Sequence, residues 1–438
     1  MNLFWKILFG SLTPTSKLEK NEIELIQAME RYDKIEKSVE LAEYKKLFHQ
    51  VKSATFQENK KILQNRKYKD TEEYRVTKKY NKLHRSPAIQ LYYEGLKSQE
   101  LNQYLKFKTT PEYENLGDAT KVKGSEVFKR MKAFEKSKAF KNYVRFHDSF
   151  IIKEYEELKS KISTDEFKKT NDFWANQNRW HSTPEFIQQQ RFYVLAKNPD
   201  IIFFENEKPE RFKKYLELKV TFQDEFNWNT LDKSHWNFGF HYKNPSFIGD
   251  HSFANEKQAN NAGKNVSVEE GILKIATKHE IVTARAWHPK HGFIKKDYNF
   301  TSDVLQTADS FKQKYGVIRA KLRCTGNLQH AFWMGADGKL PHVNIFHYNG
   351  KQITVGNATN NVFDSVKISG LNPSNYYIYT LIWNKKELVW MINNIEVYRT
   401  ASNVPNEEMF LSFNSFISEK QHGSIGSLEV DWVRVYSN

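Results

Sequence analysis

The residues best placed to do chemistry fall within six positions, His342-Val343-Asn344-Ile345-Phe346-His347. Successive side chains of a strand point to opposite faces, so His342 and Asn344 share one face and Val343 and Ile345 the other. A single bulge near Ile345–Phe346 would return His347 to the face of His342. Two imidazoles and an amide can exchange hydrogen bonds, and an imidazole with a reference pKa of ~6.5 takes up or gives a proton near neutrality. No carboxylate stands among the three. His342 and His347, with His330 on a preceding strand, would offer a zinc or copper site. Cleft imidazoles held by hydrogen bonds are the commoner arrangement, so no metal and no other cofactor is expected.

A sheet must position these residues. Ala331-Phe332-Trp333-Met334 reads as the preceding strand, joined by a turn bearing Gly338 and Pro341. From Leu218 onward the hydrophobic period is two, with Gly, Asn and Pro marking turns. Leu388–Ile392 and Ile395–Tyr398, joined by Asn393-Asn394, read as a hairpin with a type I′ turn. Such strands over residues 220–438 predict a two-sheet jelly-roll sandwich. Trp333 and Trp287 are the aromatic candidates for stacking a sugar, with core packing as the competing role for each. Gln329 and His330 are further ligand-binding candidates. Asp303, Asp309 and Asp337 are candidates for the rim of a cleft, although nothing in the sequence brings them together. His279, His288 and His291 fall in predicted loops without ligand spacing.

The first half has a different grammar. Ser or Thr is followed by an apolar residue three later, and usually again at six and nine: Ser98 by Leu101, Tyr104 and Phe107; Ser137 by Phe140, Tyr143 and Phe146. Ser86, Ser125 and Ser149 head further copies, and Thr71, Thr110, Thr164 and Thr183 head variants. Ser and Thr cap the free amides of a helix start, and Pro87, Pro111 and Pro184 follow a cap directly, where proline fits. A spacing of three drifts around a 3.6-residue turn. Short helices restarted at each cap hold the apolar face where one continuous helix would not. The prediction is a helical repeat array over 30–205, in units of 12 to 15 residues, with each unit stacked on its neighbours as in a solenoid. Residues 1–29 read as an apolar segment and lead-in, and 206–219 as a linker or last helix. The outer face, rich in Lys, Glu and Gln, is where a protein partner or a second copy would dock.

Bulk properties narrow the class. Of 438 residues, 15% are aromatic, which excludes a disordered chain. The net charge is +15, most of it in residues 1–220, where 44 Lys/Arg face 32 Asp/Glu. Those cations alternate with Glu along helices, so a solvated surface is expected and no nucleic-acid partner. Cys324 is the sole cysteine, which excludes a disulfide framework and a Cys-based metal site. Leu3–Phe9 is apolar but interrupted by Lys6 and too short to span a bilayer. It lacks a basic leader and a small-residue cleavage site. It reads as a docking segment, with weak membrane-surface contact as the alternative, and a cytoplasmic location is expected.

The second half resembles glycoside hydrolase family 16, the laminarinase-like members of the concanavalin A-like jelly rolls. Phe222-Gln223-Asp224-Glu225-Phe226-Asn227 with Leu231-Asp232 and Trp236 is similar to the family's opening. Tyr315-Gly316 through Arg323, then Phe332-Trp333-Met334, then Tyr379–Trp383 and the terminal Val430–Tyr436 follow in the family's order. Arg319 stands where an acid is common. The first half resembles Ser-capped short-helix repeats found before sugar-hydrolase-like domains in some bacterial proteins.

The resemblance implies a catalytic strand of the form Glu-x-Asp-x-x-Glu, with nucleophile, tuning acid and general acid/base. Those positions fall on His342, Asn344 and His347. Gln329-His330 replace the family's usual Trp-Pro. A retaining mechanism needs two carboxyl groups, so the expectation is a pseudoenzyme serving as a glycan-binding or scaffold protein. His347 would still be able to act as an acid near neutral pH. Two alternatives stand beside it: an active hydrolase of β-1,3/1,4-linked glucans or galactans, and a purely structural assembly component.

Overall fold

The computed structural model describes residues 12–114, 125–213, 217–243, 249–338, 340–359 and 362–437. Leu3–Phe9 lies outside them. Two compact units are formed: Tyr32–Asn206 is one, and the described residues up to Arg31 together with those from Glu207 onward are the other. No helix of the described residues is long and apolar enough to cross a membrane.

The helical unit is built by its hydroxyls. Ser38, Ser53, Thr71, Ser86, Ser98, Ser125, Ser137, Thr164 and Thr183 each accept the N–H three residues on, satisfying an orphan donor of the helix they start. Several do more. Ser38 Oγ also donates to Ile35 O at 2.7 Å, and Thr183 Oγ1 to Trp180 O at 2.7 Å. Ser53, Thr71 and Thr164 repeat this double bond. One atom therefore closes one turn and opens the next, which needs a group that both donates and accepts. Ser149 departs from the pattern. Its hydroxyl donates to Phe146 O and makes no cap bond.

The stacking order corrects the solenoid expectation. Helices pair across the chain in reverse order: Val39–Lys52 with Pro184–Leu195, Glu72–His84 with Phe150–Ser163, Pro87–Leu96 with Lys138–Phe146, and Gln99–Lys108 with Glu126–Glu135. Each apolar stripe is thus covered mainly by a helix from the opposite row. Tyr-His pairs mark the rungs: Tyr92 and His147 meet at 3.0 Å, and His84 and Tyr155 at 2.8 Å. Arg191 bonds Glu43 through two nitrogens, at 3.0 and 2.7 Å.

The other unit is a sandwich, as the period-two pattern predicts. One sheet runs, edge to edge, Asp364–Ile368, Ile353–Ala358, His342–Tyr348, Gln329–Gly335, Phe410–Phe416, Val304–Gln306, Asn237–Phe238. The opposing sheet is built on Ile395–Thr400, Leu388–Ile392, Tyr377–Trp383, Gly316–Thr325, Gly426–Ser437, Ile272–His288, Gly292–Ser302 and Gln258–Asn260, with Lys219–Asp224 paired to Gly426–Ser437. Asn393 and Asn394 take φ of 47° and 62°, both positive as a type I′ turn requires. Between the sheets Phe332, Phe346, Phe413, Trp236, Trp383 and Trp390 are almost fully buried. The described part of the stretch read as lead-in is largely helix. Thr15–Glu36 is helical, and its early acids meet the second sheet: Glu22 grips Arg319 at 2.9 and 3.0 Å, and Glu19 holds Lys321 and the Trp432 indole N–H.

Candidate functional site

The strand His342–Tyr348 contains the bulge that the sequence requires. Against its neighbour, Asn344 pairs with Gly356 and His347 with Thr354. On the other side Trp333 pairs with Asn344 and Phe332 with Phe346, so Ile345 is the extra residue. Trp390 reaches from the opposing sheet and donates its indole N–H to Asn344 O at 2.9 Å. That bond pins the irregular backbone. His342, Asn344 and His347 consequently share the face turned away from the core, while Val343, Ile345 and Phe346 are buried.

Each of the three is already bonded. His342 Nε2–H donates to Asn344 Oδ1 at 2.8 Å. His347 Nε2–H donates to Gln329 Oε1 at 3.0 Å, and Thr354 Oγ1 lies 3.3 Å from His347 Nδ1. Trp333 stacks on His342 with centroids 4.8 Å apart and donates its N–H to Asn414 Oδ1 at 3.0 Å. The indole lies over Gly335, where an added Cβ would come within 2.7 Å of the ring. Any side chain there would force the ring to shift. Phe410, Ser412, Asn414 and Phe416 alternate onto the same face from the next strand.

Burial lowers the pKa of His342, with the bond to Asn344 opposing the shift. Burial, then the nearby His342, brings His347 down to about 4. Both rings are therefore neutral at pH 7, which corrects the expectation that His347 is an acid near neutrality. Two imidazoles and an amide held this way can donate and accept hydrogen bonds. They supply neither the nucleophile nor the protonated carboxyl of a retaining glycosidase.

His330 is also corrected as a ligand-binding and metal candidate. Its ring points into the core, fully buried, with Nε2 on Thr325 O at 2.9 Å and Nδ1 2.8 Å from Ser415 Oγ. Burial holds it near 4, also neutral. Among the described residues no group of three or more His, Cys, Asp or Glu is arranged to hold a metal ion. Gln329 does lie on the shared face, bonded to His347 and Gln421. Trp287 sits elsewhere, on the long hairpin Ile272–His288/Gly292–Ser302, edge-on to Phe293 at 5.0 Å.

The rim carboxylates separate into two fates. Asp303 is buried and accepts the N–H groups of Asn261, Gly263 and Asn265 at 3.0, 3.0 and 2.9 Å, a loop-shaping role. Asp309 and Asp337 converge on His241: Nε2 donates to Asp337 at 3.0 Å, and Nδ1 lies 3.7 Å from Asp309. Lys312 bonds Asp337 as well, and with His241 it holds that carboxyl below its usual range. Phe410 links this cluster to the face, touching His241 at 5.3 Å and Trp333 at 5.8 Å. His241 and Lys312 carried no sequence signal. Phe410 and Asn414 did, through the period-two alternation of Phe410–Phe416. His279 and His288 stand in the strand Ile272–His288 and not in loops, and the rings of His288 and His291 meet at 4.5 Å across the tight turn that follows.

Fold and face together define a two-sheet jelly roll whose aromatic-lined sheet carries an irregular, bulged central strand. Comparisons agree with the family resemblance over the C-terminal half. The chain is 25% identical over 272 residues to glucan endo-1,3-beta-glucosidase A1 of Niallia circulans, a match covering 50% of this chain and 38% of that one. It is 25% identical over 194 residues to endo-1,3-1,4-beta-glycanase ExsH of Rhizobium meliloti, covering 39% of each. The chain thus spans well under half the length of these curated relatives. Among solved structures, SCLam, a non-specific endo-beta-1,3(4)-glucanase from family GH16, aligns at 22% identity and a TM-score of 0.41, covering 50% of this chain and 91% of that one. No family model matches the chain.

Proposed function

We propose that the sandwich is a non-catalytic glucan-binding module descended from a family 16-like hydrolase, carried on a helical scaffold. One observation carries the reading: the three side chains on the bulged strand are two neutral imidazoles and an amide, tied by hydrogen bonds to each other and to Gln329. A retaining mechanism calls for two carboxyl groups ~5–5.5 Å apart, and these positions offer none. The nearby Asp337 is held ionised by Lys312 and His241 and so is no proton donor at neutral pH. Binding is supported by Trp333, Gln329 and Asn414 on one face, a ring with amides beside it. The curated relatives are named as endo-glucanases, which makes β-1,3- and mixed-linked glucans the ligands to try. The helical rows, whose exposed faces carry Lys and Glu, are the surface we assign to a protein partner.

The test compares wild type with the triple substitution His342→Glu/Asn344→Asp/His347→Glu on laminarin and mixed-linked β-glucan. The expected result is no turnover by wild type with retained binding, and hydrolysis emerging in the triple variant. Turnover by wild type that is lost in His347→Ala would sink the reading.

A further inference from the structure

We infer that the outer face of the hairpin Ile272–His288/Gly292–Ser302 carries a second saccharide-stacking platform, formed by Trp287 and Phe293, for a neutral β-glucan chain. The inference rests on the glucan-binding reading and places a separate contact outside the His342 face. One face of this ribbon is packed: Ala286 and Tyr298 are buried with Ala259 against Ala254, Val282, Ala284 and Ile294. By alternation the other face presents Thr283, Arg285 and Trp287, paired across the ribbon with Asp297, Lys295 and Phe293.

On that face Trp287 is 37% exposed and Phe293 41%, whereas most tryptophans of the sandwich are buried. The two rings touch and so form one contiguous exposed apolar patch, the kind of surface that marks a binding site. The two rings meet edge to face at 67° and 5.0 Å, forming a corner. Arg285 covers part of Phe293 from 4.6 Å. Beside the corner lies a groove of about 420 Å³ lined by Thr283, Ala284, Arg285, Phe293, Ile294 and Lys295, within the range of small-ligand clefts.

The charges decide the ligand class. Arg285 is paired with Asp250, and Thr283 donates to Asp297 at 2.5 Å. A balanced set of donors and acceptors beside exposed rings suits a neutral polyol better than a polyanion. The C–H face of a pyranose meets the indole, and its equatorial hydroxyls meet the flanking polar groups.

Laminarin binding is measured by affinity electrophoresis on the full chain for Trp287→Ala, Trp287→Tyr and Trp333→Ala, with thermal unfolding as the check on folding. Trp287→Ala is expected to weaken retention about tenfold, as loss of an aromatic anchor does, and Trp287→Tyr to restore most of it. If Trp287→Ala binds as wild type while Trp333→Ala does not, the platform is overturned and the cleft reading stands. If only Trp287→Ala loses binding, the platform stands and the cleft reading falls. A wild type that ignores laminarin overturns both. Should Trp287→Ala unfold, Phe293→Ala replaces it: wild-type retention by that variant overturns the platform, and weakened retention upholds it.

Discussion

The helical rows and the sandwich solve the same problem in opposite ways. The sandwich gathers most of its apolar residues into one large core, with Phe332, Phe346, Phe413, Leu322 and Leu381 all at 0% exposure, beside a small satellite of Ala259, Ala286 and Tyr298. The rows divide their apolar residues between two smaller clusters, one around Leu41 and Trp180 and one around Leu101 and Tyr155. In the rows, fixed hydroxyl joints and side-chain rungs carry more of the order. The lesson is that a shared core tolerates an irregular strand such as the bulge at Ile345, whereas a jointed ladder depends on every joint.

The largest test of this contrast is Phe332→Ala. Phe332 is fully buried and stacks on Phe413 at 4.5 Å, so the cavity should cost about 3–5 kcal/mol. Chemical denaturation followed by tryptophan fluorescence reads it, and a loss under about 1 kcal/mol would mean the core is far more plastic than claimed.

Next comes Glu22→Ala, which removes the carboxylate that Arg319 grips; the two side chains are 10% and 12% exposed. Breaking a buried pair from one side costs about 3 kcal/mol or more. The exchange Glu22→Arg/Arg319→Glu should recover part of it, and failure of any single or double change to shift the unfolding midpoint would mean the helix does not brace the sheet.

The buried imidazoles give the sandwich a pH signature. His330 has a folded pKa of about 4, below its ordinary 6.5. Between those values the unfolded chain binds the proton and the folded chain does not, so stability rises with pH there. It is complete above about 6.5 and falls as pH drops toward 4, by on the order of 3 kcal/mol for this one group. Unfolding midpoints between pH 7 and 4 should slope less in His330→Asn than in wild type.

The smallest effect sharpens the account of the joints. Thr183→Ala removes both bonds of a joint, and Ser137→Ala removes a cap alone. Cap losses run about 0.5–2 kcal/mol, and Thr183 should fall at the upper end with Ser137 at the lower. Thr183→Ser should be near neutral. Equal losses at the two sites, read by thermal unfolding, would remove the distinction.

Much of this was legible locally. The caps follow from Ser and Thr preceding apolar triplets, and the His342 face from alternation plus one bulge. His330 was legible too: counting by twos from Trp333 puts it on the opposite face. The pairing of Glu72–His84 with Phe150–Ser163 was not, because partners some 70 residues apart leave no periodic trace. Nor was His241, whose carboxylate partners arrive from separate loops. The depressed pKa of His347 depends on burial, which no motif encodes.

The doubled hydroxyl joint governs how such a protein can change length over evolution. A duplicated unit arrives with its own Ser or Thr and needs no new connection to its neighbours. The ladder is two rows wide, however, so an extra unit in one row stands with its aromatic stripe bare until a counterpart appears in the other. Growth and loss should therefore come in matched pairs, one unit in each row.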